Sequence, residues 1–381
     1  MLSGNIGHEL KVSFHEMQLF SAFLFFLLIP LKNSGVVHYV IWVGALSIMG
    51  NTAITVYRNK IEKRCIVEFL ILLLVVVLSL CTTEKQYASG LLYSVLCYFS
   101  LYWVIALNDT FLKNERTTDA VYKFGVYSGL LFTLYSFMPF AYYRDNDTVS
   151  PTLTLYFGNS NLTGIYIFCT ICIIIIYKKN VKGKALKALL YALVAYLLYL
   201  LWMTGARTCI VAMLFVILSS VLPAKYKIPN LVIILCFLIP ILFVPMYLLL
   251  YKTGYTSIEI MGKAIFSGRQ HTYRTYLSLL GNAAQWLVGN LGEAGLANAH
   301  NAPLAHLCST GIIGITVFYG MLLRKTLECN RNDSRIARST LICILGIYIQ
   351  SSGEASMLLG GFPGIVFVYI LFYLAGKEEY A

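Results

Sequence analysis

Long apolar runs separated by short polar connections dominate this sequence. A helix needs roughly 20 apolar residues to cross the core of a bilayer, and runs of about that length recur along the whole chain. The pattern predicts twelve membrane spans, with approximate cores at 17–31, 36–57, 65–82, 87–107, 120–142, 157–177, 185–203, 208–223, 229–251, 301–323, 337–351 and 361–375. The shorter cores also fit re-entrant helices. We therefore expect an all-α polytopic membrane protein with about 12 transmembrane helices.

One connection is longer and more polar than the others. No internal repeat, Pro-rich linker or low-complexity segment divides residues 1–381, so the sequence predicts a single transmembrane domain. Residues 252–300 form the exception to its short connections, as an enlarged polar loop inserted between spans nine and ten. A membrane protein with few charged residues has few places to keep polar groups together, so this loop is the first candidate for a functional role.

A helical pattern lies inside the enlarged loop. From Tyr273 onward, apolar residues recur at helical spacing, which predicts an amphipathic helix that ends near Gly289 and has Ser267 as its N-cap. The start of such a helix presents free backbone N–H groups to an anion. Arg269 lies in its first turn, and Arg274 follows a little over one turn later. The alternative is an interfacial helix whose arginines meet lipid headgroups.

Charge assigns the two faces of the predicted bundle. The chain is 59% hydrophobic and 12% charged, and 20 of its 29 Lys and Arg residues fall on one face, mainly in 58–64, 178–187 and 324–338. Because cytoplasmic connections carry the excess of Lys and Arg, this face and both termini are predicted to be cytoplasmic, and the enlarged loop periplasmic. The net charge of +12 then reflects topology, so no nucleic-acid partner is expected.

Further polar residues lie at the predicted outer ends of the spans. The hairpin before span eight is so tight that Arg207 must lie at its outer mouth. A charge there costs roughly 2.5–3.5 kcal/mol if it is drawn unpaired into hydrocarbon, so we expect an anionic partner. Asn159 and Asn161 begin span six, where their amides suit sugar hydroxyls or cap the helix.

The enlarged loop ends at a second predicted helix start. Asn301 is placed to cap the tenth span, and Pro303 fits its first turn. His300 then lies at the positive end of the helix, which disfavours a protonated imidazole. We therefore expect a neutral His300 that is able to accept a proton, although a satisfied polar residue at a membrane boundary is the simpler interpretation.

In arrangement, these motifs are similar to those of the bacterial O-antigen polymerase and O-antigen ligase family of integral membrane glycosyltransferases. The segments that carry the resemblance are Gly158-Asn159-Ser160-Asn161, Thr204-Gly205-Ala206-Arg207, Ser267-Gly268-Arg269, and His300-Asn301 with Leu304 and Gly311. They span residues 158–315 in the expected order and on the expected side. Where loops of this family often have Trp after the Arg, this chain has Tyr273 and Tyr276.

The resemblance implies a GT-C-like fold in the bacterial inner membrane, with its active site facing the periplasm. It implies transfer of a glycan from an undecaprenyl diphosphate carrier to an acceptor sugar, with a chain-length regulator as a possible protein partner. On this hypothesis Arg207, Arg269 and Arg274 bind the diphosphate and His300 is the general base. Asn159, Asn161, Tyr273, Asn301 and Glu354 are the predicted substrate-binding residues.

The resemblance leaves three alternatives open. An O-antigen ligase uses the same donor but transfers the glycan to a lipid A core. A flippase or other transporter predicts charged or broken helices at mid-membrane, and a structural scaffold predicts no reaction.

No metal or other cofactor is expected. Metal-dependent GT-C enzymes carry acids in their first outer loop, which here is only 32–35, and Asp145 with Asp147 is a weaker acidic pair.

Overall fold

The computed structural model describes residues 16–58, 61–81, 88–107, 115–139, 141–143, 152–221, 227–254, 259–260, 263–264, 269–291, 299–355, 357–358 and 361–376. Its helices are α1 (16–28, continued by a 3-10 turn over Ile29–Ser34), α2 (Val36–Arg58), α3 (Lys63–Cys81), α4 (Ala88–Ala106), α5 (Glu115–Ser136), α6 (Ser160–Asn180), α7 (Lys184–Met203), α8 (Arg207–Val221), α9 (Asn230–Lys252), α10 (Arg269–Ser278), α11 (Ala283–Val288), α12 (Ala302–Cys329), α13 (Arg335–Gln350) and α14 (Phe362–Ala375). Two antiparallel hairpins pair β1 (Tyr142–Tyr143) with β2 (Thr152–Leu153) and β3 (Glu259–Ile260) with β4 (Lys263–Ala264).

Every predicted apolar core coincides with a helix, namely α1 to α9 and α12 to α14. Six of these, α2, α3, α6, α7, α9 and α12, are long and apolar enough to cross a membrane. Helices α8 and α14 are apolar but shorter. The structure is thus that of a helical membrane protein, while the count of twelve spans stays a prediction. The termini 1–15 and 377–381, whose side was predicted, lie outside the described residues.

The two helices that are apolar on every side lie at the centre. Every residue of α14 is buried, and so is the isoleucine-rich part of α6, from Thr163 to Ile176. A helix without a polar face is stable only where other helices surround it. Helix α14 packs against α13 and α4, with smaller contacts to α2 and α6. Gly44 of α2 lets the Phe362 ring approach closely, because a Cβ there would overlap the ring.

Helices α3 and α12 run antiparallel, with polar contacts at both ends. At the basic face, Arg324 of α12 lies 2.8 Å from a carboxylate oxygen of Glu68 in α3. At the opposite end, the Ser79 hydroxyl of α3 donates a hydrogen bond of 2.8 Å to the carbonyl of Ser309. The same hydroxyl accepts one of 2.8 Å from the backbone of Leu291. These contacts place Ser309 at the end of the bundle opposite the basic face, which we call the outer end after the predicted topology.

The first nine residues of α12 do not continue the direction of the rest. Gly311 has φ 63° and ψ −171°, outside the helical region. The His306 ring lies 4.5 Å from the Phe318 ring, whereas twelve residues of straight helix span about 18 Å. Residues 302–310 therefore fold back at Gly311 onto the longer part of α12. The straight span predicted over 301–323 is corrected to a sharply bent one.

The outer loop contains two helices where the sequence predicted one. Helix α10 ends at Ser278, and Asn282 begins α11 by accepting a hydrogen bond of 2.9 Å from the backbone of Gln285. The prediction of a single helix ending near Gly289 is wrong, because Asn282 is a strong N-cap and begins a second helix. The predicted N-cap Ser267 and the neighbouring Gly268 lie outside the described residues.

Helix α11 and the bend are in backbone contact. A Cβ on Gly311 would lie 2.2 Å from the carbonyl oxygen of Leu287, and one on Gly289 would lie 2.3 Å from the carbonyl carbon of Ser309. The backbone of Asn290 donates a hydrogen bond of 2.7 Å to the carbonyl of Cys308. Asn290, two residues after the end of α11, therefore satisfies a carbonyl that the bend leaves open.

We predict that Gly311→Ala destabilises the protein by about 1–3 kcal/mol, the usual cost of overpacking. The new methyl group would meet the Leu287 carbonyl at a backbone φ that L-residues rarely adopt. Gly320→Ala in the same helix is the matched control, because a Cβ there meets nothing within 4 Å. Thermal unfolding in detergent measures both, and equal midpoints for the two variants would argue against the bend.

Candidate functional site

The bend in α12 carries its N-terminus into the interior of the bundle. The side-chain amide of Asn301 donates hydrogen bonds of 3.0 Å to the carbonyls of Pro240 and Ser352. Pro240 lies near the middle of α9, roughly 18 Å along the helix from its outer end at Lys252. The site residues around His300 therefore lie well below the outer end of α9, deeper than the outer mouth at which the sequence placed them.

Three charged or titratable side chains meet at this depth. One carboxylate oxygen of Glu354 lies 3.2 Å from Nη2 of Arg269 and 3.2 Å from Nδ1 of His300. Its second oxygen lies 3.3 Å from the same imidazole nitrogen. The Glu354 side chain is only 8% exposed, against 19% for Arg269 and 37% for His300. We call these three residues the Arg–Glu–His cluster.

The backbone around His300 is held in an unusual conformation. His300 has φ 50°, in the left-handed region that few residues other than glycine adopt. Asn301 follows as the N-cap of α12, accepting a hydrogen bond of 2.8 Å from the backbone of Leu304. The backbone of Ala302 donates another of 3.0 Å to the carbonyl of Ser351. These bonds tie the His300 segment to the residues just before Glu354 and so align the two side chains.

Asn301 is therefore a structural residue in this arrangement. The prediction that it caps the tenth span is confirmed. It is completely buried, however, and its amide makes three hydrogen bonds within the protein. A predicted contact between Asn301 and a sugar does not fit this burial, because no surface of the side chain is left for a substrate.

The second predicted arginine lies beside the cluster. Arg207 is the first residue of α8 and is half-buried. Gly353 lies between the next residue, Thr208, and the side chain of Arg269. A Cβ on Gly353 would lie 2.3 Å from the Thr208 methyl and 2.8 Å from Nη1 of Arg269. Arg207 therefore lies at the start of α8, next to the Arg–Glu–His cluster.

Two other predicted residues do not join the cluster. Tyr273 is fully buried and packs edge-on against Tyr247, with ring centroids 5.3 Å apart. Its burial raises the pKa of its phenol to about 12. The ring packs inside the protein, so no surface is left on which a sugar could stack. Arg274 points away on the exposed side of α10, where its guanidinium lies 5.3 Å from the Tyr251 ring. The stacking role of Tyr273 is corrected because its ring is buried. Arg274 lies apart from the cluster, so its binding to the diphosphate stays a prediction.

The head of α6 lies next to the hairpin that precedes Arg207. Asn159 caps α6 by accepting hydrogen bonds of 2.8 Å and 3.2 Å from the backbones of Asn161 and Leu162. One turn further, a Cβ on Gly164 would lie 2.5 Å from Cβ of Ala206. The cap predicted for this helix is confirmed. The side chain of Asn159 is exposed, so its binding to a sugar stays a prediction, as does that of Asn161.

Sequence analysis missed the polar residues that end α13. Gln350 is fully buried beside Cys209, and neither of its amide atoms has a hydrogen-bond partner of ordinary geometry in the described structure. The hydroxyl of Ser352 is buried in the same way. Unpaired buried polar groups are costly. These atoms extend the polar lining of the recess behind Glu354. The signal that could have identified them is the polar segment from Gln350 to Glu354, which directly follows an apolar span.

Within the described ranges, no three His, Cys, Asp or Glu side chains come together as metal ligands would. Asp145 and Asp147, the acidic pair noted above, lie outside the described residues. Comparison of the chain with protein-family models, with curated proteins and with solved structures finds no match. The function is therefore argued from the geometry of the site.

We predict that Glu354→Gln lowers the free energy of unfolding by about 1–3 kcal/mol, since it leaves Arg269 in the recess without a charged partner. The matched control is Asp119→Asn, which breaks the ion pair with Lys123 at a distance of 2.7 Å. That pair is exposed on both sides, and such pairs contribute about 0–1 kcal/mol. Chemical unfolding of both variants tests the difference, and an equal loss would mean that the cluster has no special structural role.

Proposed function

We propose that this protein is a membrane glycosyltransferase of the O-antigen polymerase type, with twelve spans and a GT-C-like fold. It takes a glycan from undecaprenyl diphosphate and transfers it to the acceptor sugar of a lipid-linked repeat unit on the periplasmic side of the inner membrane. The observation that carries the proposal is the Arg–Glu–His cluster, with Arg207 beside it, in a recess below the outer end of the bundle.

The donor side of the reaction needs positive charge. When the bond between the sugar and the diphosphate breaks, the leaving group takes up negative charge that fixed cations stabilise. Thr208, the neighbour of Arg207, and the guanidinium of Arg269 both lie against Gly353, so the two arginines are near enough to share one anion. Guanidinium groups bind phosphate oxygens in a planar, two-pronged geometry. The depth of the recess suits a substrate whose diphosphate is anchored to the membrane by its lipid.

The acceptor side needs a base. An ionised carboxylate accepts hydrogen bonds, so Nδ1 of His300 donates to Glu354 and Nε2 keeps a free lone pair. That lone pair removes the proton of the acceptor hydroxyl as the new glycosidic bond forms. Glu354 then stabilises the positive charge that develops on the imidazole, as the acidic member of a catalytic triad does. Glu354 is thus a positioning residue for His300 and Arg269, in place of its predicted role in sugar binding.

One observation favours a second candidate, a transporter of lipid-linked glycans. Transporters place their substrates at the ends of broken helices near mid-membrane, and residues 302–310 begin in such a position. The two candidates differ in product. A transferase makes longer glycans in detergent solution without a membrane to cross, whereas a transporter only changes the side on which its substrate lies.

We predict that His300→Ala lowers turnover about 100- to 10,000-fold with little loss of stability, because a positioned base contributes a factor of that size. The assay incubates purified protein with a lipid-linked repeat unit and a chelator, then separates the glycans by length. His271→Ala is the matched control, since His271 is an exposed histidine of α10 in the same outer loop. Longer glycans at the wild-type rate with His300→Ala would exclude it as the base, and their absence with wild-type protein would favour the transporter.

Arg269→Lys tests the diphosphate site, because lysine keeps the positive charge but loses the planar fork. We expect a large fall in turnover and weaker binding of the lipid diphosphate product. Arg331→Lys, at an exposed position on the opposite face, controls for the substitution itself. Wild-type kinetics for Arg269→Lys would mean that this arginine only neutralises Glu354.

A further inference from the structure

A second site lies at the opposite, basic face of the protein. A cavity of about 750 Å³ opens there between the ends of α6, α7, α8 and α13. Four cations line it: Lys178 and Lys179 from α6, Lys187 from α7 and Arg335 from α13. The cavity is separate from the Arg–Glu–His cluster, which lies at the other ends of α8 and α13.

The cations of this cavity have no acidic partner among the described residues. Lys178 lies 3.8 Å above the ring of Tyr191, and Lys179 donates a hydrogen bond of 2.7 Å to the Ser339 hydroxyl. The nearby carboxylate of Asp333 is instead 3.0 Å from Lys227. The positive charges of Lys178 and Arg335 act on Lys179, and that of Arg338 adds to them. The cavity therefore concentrates positive charge that an anion would neutralise.

The rest of the cavity is apolar and elongated. Tyr191, Val194 and Leu198 follow Lys187 along one face of α7, at the spacing of successive helical turns. Leu198 lies roughly 16 Å along the helix from Lys187. Ile217 and Val221 of α8 face the same space. Val221 is 78% exposed and Tyr191 57% exposed, so the groove is open along its side.

We propose that this groove binds an anionic phospholipid of the leaflet at the basic face, which is predicted to be cytoplasmic. The phosphate of the headgroup lies among the four cations, and one acyl chain follows the apolar stripe of α7 and α8. Basic pockets between transmembrane helices on the cytoplasmic side are typical sites for anionic headgroups. A free phosphate would use the cations but not the stripe, so the shape of the groove favours a lipid. The inference does not depend on the proposed transferase activity.

The test is native mass spectrometry of the full-length protein in detergent, titrated with phosphatidylglycerol. The double variant Lys187→Ala/Arg335→Ala removes two cations of the groove, and we expect binding to weaken about 30-fold. Lys182→Ala/Lys184→Ala is the matched control: it removes the same charge from exposed residues of the same connection that do not line the groove. We expect this control to bind phosphatidylglycerol like the wild type.

Three further binding measurements distinguish an anionic phospholipid from other ligands. Leu198→Trp fills the apolar stripe without changing charge and should also weaken phosphatidylglycerol binding. Zwitterionic phosphatidylethanolamine should bind less tightly, and inorganic phosphate should fail to displace phosphatidylglycerol. Equal weakening in the groove variant and its matched control would overturn the proposal, since it would show attraction to the whole face. So would unchanged binding by Leu198→Trp or displacement by inorganic phosphate.

Discussion

A carboxylate inside a membrane protein has to be neutralised, and the arrangement of the outer recess follows from that constraint. Glu354 is almost completely buried at the end of an apolar helix, where an unpaired charge would be costly. Arg269 and His300 both contact it, and each comes from a different part of the chain. The carboxylate therefore determines where the two side chains point. The same contact supports the proposed chemistry, because it orients the imidazole of His300 next to the guanidinium of Arg269.

The recess exists because α12 is bent. A straight helix starting at Ala302 would place His300 far from the middle of α9, yet Asn301 contacts Pro240 there. The bend needs a glycine at position 311, whose φ is positive, and close packing of α11 against its backbone. A polar loop thus shapes the interior, since Asn290, two residues after α11, donates the hydrogen bond to the carbonyl of Cys308. Flexible outer loops rarely hold such backbone contacts, so α11 is better viewed as part of the membrane domain.

The two faces of the protein concentrate positive charge in different ways. In the outer recess, the carboxylate of Glu354 contacts both Arg269 and His300, so these groups are held at defined positions. At the basic face, four cations line an open groove with no acidic partner among the described residues. The first arrangement suits a reaction in which charge develops at a defined point. The second suits attraction of an anionic surface, which needs charge but little geometric precision.

The sequence by itself determined the positions of the helices and the chemical types of the site residues. Apolar runs long enough to cross a bilayer are local patterns, so each predicted core lies on a helix. Helix caps are equally local, and Asn159 and Asn301 were found for that reason. The three residues of the Arg–Glu–His cluster, and Arg207 beside it, were also named as site residues from the sequence, although Glu354 was given a different role.

Only the tertiary structure decided the depth of the site and which residues face it. Glu354 meets residues 54 and 85 positions away in the chain, and no periodicity reports such contacts. Tyr273 and Arg274 were predicted to share the site with Arg269, but Tyr273 is buried and Arg274 lies on the exposed side of the same short helix. The bend at Gly311 lies within an apolar run and could not be predicted from it. The positive φ of Gly311 depends on packing against α11, which is distant in sequence, and not on the neighbouring residues.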